Sequence, residues 1–274
     1  MIDLGIGPAP STLDAVTLTL DEMQLLMQRL AIDEVPVVLD AVPRYDNAPD
    51  RNAALDAAEA ALTERELIDE AGEINAELAT WLHILARPHW IIALRYYVNE
   101  SISRLCVAKG EERTVLALRG PESYVIDQIE TDVAVPIIGA LGQSTPLNFS
   151  GLNAPTEPLG EIFDDAGDPE RTAARLAEIG IPSRESGVVA AAMLHCHAHT
   201  EIVGVAYGDG TRDQAENNIA VFDTRDGRFI ATSSRAADGT KWSALSSGTD
   251  SRLRQALHSL IDTLPTRENF PTSQ

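Results

Sequence analysis

The chain of 274 residues contains only two cysteines, few aromatic residues and half as many basic as acidic side chains. Cys106 and Cys196 cannot form the framework of several disulfides that stabilises small secreted domains, so we expect reduced core thiols in a cytosolic protein. The 21 Lys and Arg against 42 Asp and Glu give a formal net charge of −21. This charge repels phosphate and argues against binding of nucleic acid or anionic membranes.

Long hydrophobic runs are also missing. The longest nearly apolar run, 187–194, is much shorter than the roughly 18 residues that a membrane-spanning helix needs. The N-terminal sequence lacks the basic start and the long apolar centre of a secretory signal. These features predict a soluble cytoplasmic protein without membrane insertion.

Hydrophobic residues make up 44% of the chain, which is enough for a sizeable core. Thr19 and Glu22 have the spacing of a helix capping box, and Asn75, Asp168 and Asp250 are candidate helix caps. Hydrophobic periodicity predicts helices and extended segments along most of the chain. The predicted helices are 21–30, 51–68, 75–87, 133–141, 168–180, 182–194 and 250–264. The predicted strands or extended segments are 16–20, 35–39, 90–97, 102–108, 114–118, 124–129, 199–207, 218–222, 228–233 and 241–245.

The predicted elements follow one order twice, in about 51–142 and 168–264. We therefore predict an α+β fold with a quasi-twofold repeat of a helix pair, a four-stranded antiparallel meander and a helix. The two meanders would form a central sheet flanked by helical bundles. The whole chain, 1–274, would be one domain with an N-terminal half at about 15–142 and a C-terminal half at about 143–265. Segment 143–167, which contains several prolines and glycines, is predicted to be an irregular connector.

Three histidines are the first candidate for chemistry. On a strand, His195, His197 and His199 would share one face, which suits zinc or copper. However, this segment lies where a predicted helix meets a predicted strand, and no acidic or cysteine ligand is obviously placed to complete the set. Histidines of mixed exposure at a corner are the simpler interpretation, and a metal-dependent enzyme is retained as an alternative.

Other motifs give no catalytic constellation. Gly204, Gly208 and Gly210 lack the Lys-Ser/Thr end of a phosphate-binding loop and predict a hairpin loop. No Gly-x-Ser-x-Gly or His-Glu-x-x-His motif is present.

Apolar residues give two further expectations. Trp81, Trp90 and Trp242 lie in apolar patterns that predict core packing. Segment 187–194 has more apolar positions than one buried stripe needs, so it is either enclosed in the core or contacts a partner. A homodimeric scaffold protein is the second alternative that this segment leaves open.

The ends of the chain resemble those of a known family. The segments LTLDEMQLLMQRLAIDEVPVVL and FDTRDGRFIATSSRAADGTKWSALSSGTDSRLRQALHSLI are similar to the beginning and end of the EspG proteins, cytosolic chaperones of actinobacterial type VII (ESX) secretion. The resemblance covers about 15–265 and depends on the order of short motifs. These motifs are Leu85-Ala86-Arg87-Pro88, Asp223-Thr224, Gly227-Arg228, Asp238-Gly239, Trp242 and Gly248-Thr249.

The resemblance implies a function. EspG proteins have a quasi-twofold body with a central sheet, and they bind the tip of the PPE subunit in PE–PPE heterodimers. They keep that subunit soluble, help to select the secretion system and use no cofactor. For this chain the resemblance therefore implies a binding protein with no catalytic, cofactor or metal residues, which is a monomer or weak dimer without its partner.

The resemblance also implies a partner-binding surface, which we assign by region. It comprises helices of the second half, strands of the sheet and one early hairpin loop. The expected residues are Leu176, Ile179, Val188, Val189, Ala192 and Met193 on helices, Glu201, Val203, Val205, Asn218, Ala220 and Phe222 on strands, and Lys109, Gly110 and Glu111 in the loop.

Overall fold

A computed structural model describes residues 13–208 and 211–265 of the chain. These residues form eight α-helices and ten β-strands. The helices are α1 Leu20–Arg29, α2 Ala48–Glu64, α3 Ala76–Ala86, α4 Ala134–Leu141, α5 Thr156–Asp164, α6 Pro169–Glu178, α7 Ser183–Leu194 and α8 Asp250–Ile261. The strands are β1 Val16–Thr19, β2 Trp90–Val98, β3 Ser101–Lys109, β4 Thr114–Arg119, β5 Ser123–Ile129, β6 Leu152–Pro155, β7 Cys196–Tyr207, β8 Arg212–Thr224, β9 Gly227–Arg235 and β10 Lys241–Ser247.

The described strands form one ten-stranded sheet, and the α+β fold class is confirmed. The strand order is β1-β5-β4-β3-β2-β7-β8-β9-β10-β6, and all neighbouring strands are antiparallel. Strands β2 to β5 form one meander and β7 to β10 form another. The two meanders meet at the centre, where β2 pairs with β7 from Trp90↔Ala206 to Val98↔Ala198.

Helices cover the two faces of the sheet differently. On one face, which we call the α8 face, α4 and α8 pack over the central strands, and Leu257 of α8 lies in one buried cluster with Ile92, Ile202 and Ile219. On the opposite face, α1 to α3 pack over strands of the N-terminal half, and α5 to α7 pack over the end formed by β9, β10 and β6. The helices of this second face therefore lie at its two ends.

Several predicted helix starts are confirmed. Thr19 Oγ1 accepts a hydrogen bond from the Glu22 amide, and the Glu22 carboxylate accepts one from the Thr19 amide, which completes the capping box of α1. Asn75 caps α3 and Asp168 caps α6. The start of α8 differs from the prediction, because Thr249 is the cap and Asp250 is the first helical residue.

Two predicted segments are wrong. Segment 35–39 is not extended, because Val37–Leu39 forms a 3-10 turn that Asp40 ends at a φ of 51°. Segment 143–167 is not an irregular connector, because it contains β6 and α5. Strand β6 exists because it pairs with β10 from Leu152↔Leu245 to Pro155↔Trp242, and its edge position tolerates a proline.

Two expectations about single residues are also wrong. Gly204 lies inside β7 and not in a hairpin loop, and a Cβ there would be 3.0 Å from the Leu264 side chain. Gly210 lies outside the described residues. Trp242 is not a core residue, because it is 39% exposed on β10. Strand alternation buries Ser243 and Leu245 of β10 and turns Trp242 to the other face.

A buried ion pair fixes the connection between the two halves. Arg228 Nε lies 2.7 Å from Asp223 Oδ1, and its Nη2 lies 3.1 Å from Oδ2. The same guanidinium donates to the carbonyl oxygens of Leu141 and Gly142 at the end of α4, at 2.8 Å and 3.0 Å. Gly227 has a φ of 130°, and a Cβ there would lie 2.7 Å from the Leu147 amide nitrogen. These contacts give the Gly227-Arg228 motif a structural role.

No helix among the described residues has both the length and the apolar character needed to cross a membrane. The expectation about a secretory signal concerns the N-terminal residues, most of which lie outside the described ranges.

Candidate protein-binding cleft

The helices leave the middle of the second sheet face uncovered. A cleft of about 520 Å³ lies there over β2, β7 and β8, and we call this side of the sheet the cleft face. Its floor contains Ala93 of β2, Val203 and Val205 of β7, and Ala220 of β8. Small and β-branched side chains at these positions make the floor apolar.

Strand alternation explains why these residues face the cleft. Ile202 is fully buried on the α8 face, whereas Val203 and Val205 are half-buried on the cleft face. Ala93 and Asn218 lie opposite Val203 on the two neighbouring strands. Because side chains of paired residues point to the same face, these positions form one continuous row across the sheet.

An exposed valine borders the cleft. Val37 lies on the 3-10 turn and is 68% exposed, whereas the next residue, Val38, is 5% exposed and anchors the turn in the core. Large apolar side chains exposed beside an apolar floor are typical of surfaces that bind another molecule.

Charged side chains lie along the cleft. Arg95 and Glu201 are opposite each other on β2 and β7. The Tyr97 hydroxyl donates to Glu201 Oε2 at 3.3 Å. Arg212 also lines the cleft, and its guanidinium forms an ion pair with the carboxylate of Glu34.

An aromatic ring lies beside that ion pair. The Arg212 guanidinium lies 5.7 Å from the centre of the Tyr207 ring, which is within the range of a cation–π contact. Partial burial of Tyr207 is the main cause of its raised pKa.

Five of the residues expected to bind a partner line this cleft. They are Glu201, Val203, Val205, Asn218 and Ala220. A sixth, Phe222, lies on the same face opposite His199. Its ring stacks on Phe229 at 4.7 Å and contacts Phe163 of α5 edge-on at 5.4 Å, so Phe222 joins the cleft face to the C-terminal helices.

The expected residues on helices lie in the core of the C-terminal half or against it. Leu176, Val189 and Ala192 are fully buried and offer no surface to another molecule in this structure. Ile179, Val188 and Met193 are half-buried against the same cluster.

The expected hairpin loop lies apart from the central cleft. Gly110 and Glu111 line a separate, larger concavity of about 990 Å³, which also includes Ile84 of α3. Gly110 packs closely on α3, since a Cβ there would lie 3.0 Å from the Ile84 side chain. Burial lowers the pKa of Lys109 beside it.

The three histidines do not form a ligand set. His195 follows α7, and its Nδ1 lies 3.1 Å from Asp226 Oδ2. His197 and His199 are exposed on β7, and the His199 ring stacks on Tyr97 at 4.4 Å. Within 13–208 and 211–265, no three potential ligands are grouped to hold a metal ion.

The cysteines also lie apart from the cleft lining. Cys106 is buried on β3 and Cys196 is half-buried at the start of β7, and both are free thiols. Burial raises the pKa of both thiols, which keeps them protonated and weakly nucleophilic at neutral pH.

Several residues of the cleft were not predicted from the sequence. Val37, Ala93, Arg95, Tyr207 and Arg212 all line it. The available signal was the apolar segment VPVV, which we predicted to be extended and to which we gave no role. Arg95 had no local signal, because its place beside Glu201 depends on pairing of distant strands.

The chain shares its fold with a solved chaperone of a type VII secretion system. The chain superimposes with a TM-score of 0.76 on Mycobacterium tuberculosis EspG5, solved in complex with a PE25–PPE41 dimer, at 17% sequence identity over 92% of this chain and 97% of EspG5. Residues 19–259 match the EspG family, and the chain belongs to this family.

Two relatives are named for ESX secretion systems. The ESX-3 secretion-associated protein EspG3 of Mycobacterium tuberculosis (strain CDC 1551 / Oshkosh) is 28% identical, with 95% of each chain covered. The ESX-1 secretion-associated protein EspG1 of Mycobacterium tuberculosis (strain H37Rv) is 25% identical, over 91% of this chain and 87% of the relative.

Proposed function

We propose that this chain is a cytoplasmic chaperone that binds the tip of the PPE subunit in PE–PPE heterodimers. It keeps that subunit soluble and directs it to a type VII secretion system. The observation that carries the proposal is a cleft with an apolar floor on a sheet face that helices cover only at its two ends, in a chain of the EspG family. The complex of EspG5 with a PE25–PPE41 dimer supports the choice of partner.

The mechanism is capture at equilibrium. A helical hairpin with an apolar tip aggregates in water unless the tip is covered, and the cleft offers it an apolar floor. Binding lowers the concentration of the free, aggregating form by mass action. Because this mechanism needs only contacts, we propose that the protein has no enzymatic activity and uses no cofactor. We also propose that it binds no nucleic acid, because its net charge of −21 repels phosphate.

We assign the proposed contacts by how accessible each expected residue is in the structure. Glu201, Val203, Val205, Asn218 and Ala220 contact the tip directly, since all of them line the cleft. The remaining expected residues surround this contact with the tip or lie in its neighbourhood. Phe222, Ile179, Val188 and Met193 flank the contact, Leu176, Val189 and Ala192 support these side chains from the core, and Lys109, Gly110 and Glu111 form a second contact region.

We further propose one EspG-like domain over 1–274, with halves at about 15–142 and 143–265 related by a quasi-twofold repeat. The strand order supports the repeat, because β2, β3, β4, β5 and β1 run outward from the centre on one side, and β7, β8, β9, β10 and β6 on the other. Without its partner, the protein is a monomer or weak dimer, which light scattering at several concentrations tests.

Co-expression tests the function. We expect the chain and the PE–PPE pair encoded near its gene to form a soluble 1:1:1 complex that elutes as one peak. A pair that is fully soluble alone and never co-purifies with this chain contradicts the proposal. Stoichiometric zinc in protein purified without chelators would instead favour the metal-dependent alternative at His195, His197 and His199.

A further inference from the structure

One arginine on the cleft face has no carboxylate partner. Arg95 lines the cleft and is exposed, and among the described residues its guanidinium forms no hydrogen bond or ion pair. Two other arginines of the same side are paired, Arg104 with Asp40 and Arg212 with Glu34. In a chain with twice as many acidic as basic residues, a guanidinium left unpaired in an apolar cleft is available to another molecule.

The nearest carboxylate on the neighbouring strand is engaged elsewhere. Glu201 lies opposite Arg95, but its Oε2 accepts the hydrogen bond of the Tyr97 hydroxyl. A chain that covers the cleft removes water from Arg95. Burying a charge without a partner is costly, so the covering chain must supply an acceptor. A carboxylate fits best, because its two oxygens match the planar fork of a guanidinium.

We propose that Arg95 determines partner register and specificity by pairing with a carboxylate on the docked tip. This inference rests on the proposed function and adds the chemistry of the recognised segment, which is an apolar tip that carries one Asp or Glu facing Arg95. Apolar contacts alone allow the tip to slide along the floor, whereas one directional charge pair fixes its position.

The test compares charge variants of Arg95 in binding to the PE–PPE pair that co-purifies with the unmodified chain. Isothermal titration calorimetry measures the dissociation constant for the unmodified chain and for Arg95→Glu, Arg95→Gln and Arg95→Lys. Arg252→Glu is the matched control, because Arg252 is exposed on α8 and the substitution changes the net charge equally. Thermal unfolding checks that each variant is folded.

We expect Arg95→Glu to weaken binding at least about 30-fold, because truncation of a charge pair buried by association costs about 2 kcal/mol or more. Arg95→Gln should weaken binding less than Arg95→Glu does, and Arg95→Lys should weaken it least of the three. The control Arg252→Glu should change the dissociation constant less than about twofold. One Asp→Lys or Glu→Lys substitution in the tip of the PPE subunit should increase the affinity of the Arg95→Glu variant for the pair at least about tenfold.

Two results would overturn the inference while leaving the proposed function intact. One is unchanged affinity of Arg95→Glu for a pair that binds the unmodified chain. The other is weakened binding that no acidic-to-lysine substitution in the tip restores, since the acceptor is then not a carboxylate. Failure of the unmodified chain to bind any pair contradicts the proposed function itself.

Discussion

The two faces of the central strands β2, β7 and β8 differ in their exposure to solvent. On the α8 face, Ile92, Ile202 and Ile219 are at most 3% exposed beneath α4 and α8. On the cleft face, adjacent positions on the same strands remain accessible, including Val203 and Asn218. Backbone pairing is the same for both faces, so the difference arises from which face the chain covers with its own helices.

Under the proposed function, one sheet provides stability on one face and recognition on the other. The α8 face buries its apolar side chains within the chain and stabilises the fold. The cleft face keeps apolar side chains such as Val203 and Val205 partly in contact with water. Substitutions on the α8 face should therefore lower the free energy of unfolding, and those on the cleft face should lower affinity for a partner.

Removing one carboxylate from each face should give the largest contrast. Asp223→Asn removes the carboxylate from buried Arg228 and leaves its charge uncompensated. Such a change should cost about 3–5 kcal/mol in the free energy of unfolding, measured by urea denaturation. Glu201→Gln on the cleft face is the control and should cost less than about 1 kcal/mol. Equal costs would contradict the difference between the faces.

Neighbouring apolar residues of β7 should separate stability from binding. Ile202→Ala leaves a cavity beneath α8 and should lower the free energy of unfolding by about 2–5 kcal/mol. Val203→Ala should cost less, because Val203 is only half-buried, but should weaken binding of the PE–PPE pair. Urea denaturation and calorimetry measure the two effects. A larger stability loss for Val203→Ala would be inconsistent with the observed burial.

A substitution of the exposed Val37 tests whether the border of the cleft is part of the interface. Val37→Asp should change the free energy of unfolding by less than about 0.5 kcal/mol, because its side chain is already in water. If docking covers Val37, affinity should fall by about tenfold or more, since burial of a valine contributes at least about 1.5 kcal/mol. Val42→Asp is the matched control, because Val42 is 60% exposed but lies outside the cleft lining. Similar affinities of both variants for the pair would show that Val37 lies outside the interface.

A smaller effect concerns the helices that cover the α8 face. Asp132 accepts hydrogen bonds from His258 of α8 and from the amide of Ala134 in α4, and these bonds lower its pKa. A lowered carboxyl pKa stabilises the folded state above the ordinary value of about 4, and this gain is lost as the pH falls through the lowered value.

Stability at several pH values therefore tests this link. The unmodified chain should be more stable than Asp132→Asn at pH 7 by about 1 kcal/mol or less, because Asp132 is partly exposed. The difference should shrink as the pH falls below about 4. A difference that grows in acid would show that the carboxylate does not tie α4 to α8.

Local patterns were sufficient for most elements. Capping at Thr19, Asn75 and Asp168 depends on residues close in sequence, and the structure has helices that begin there. The order of motifs led to the EspG family, and the family match confirms that step.

Non-local pairing explains what sequence analysis missed. Strand β6 contains Pro155 and exists only because distant β10 pairs with it. The cleft depends on pairing of β2 with β7, which brings together Tyr97 and Glu201, 104 positions apart. No local pattern of Arg95 reveals that neighbour. Likewise, Trp242 has an apolar pattern, but its exposure depends on which face of β10 the helices cover.

Cysteine labelling on the cleft face tests most directly whether this face binds the partner. Asn218→Cys in a Cys196→Ser background places an accessible thiol in the cleft, and Ala244→Cys provides an exposed thiol outside the cleft lining. Labelling by a maleimide is compared with and without the PE–PPE pair. We expect labelling at position 218 to slow at least about tenfold in the complex while position 244 is unchanged. Unchanged labelling at position 218 in a stable complex would contradict binding at the cleft.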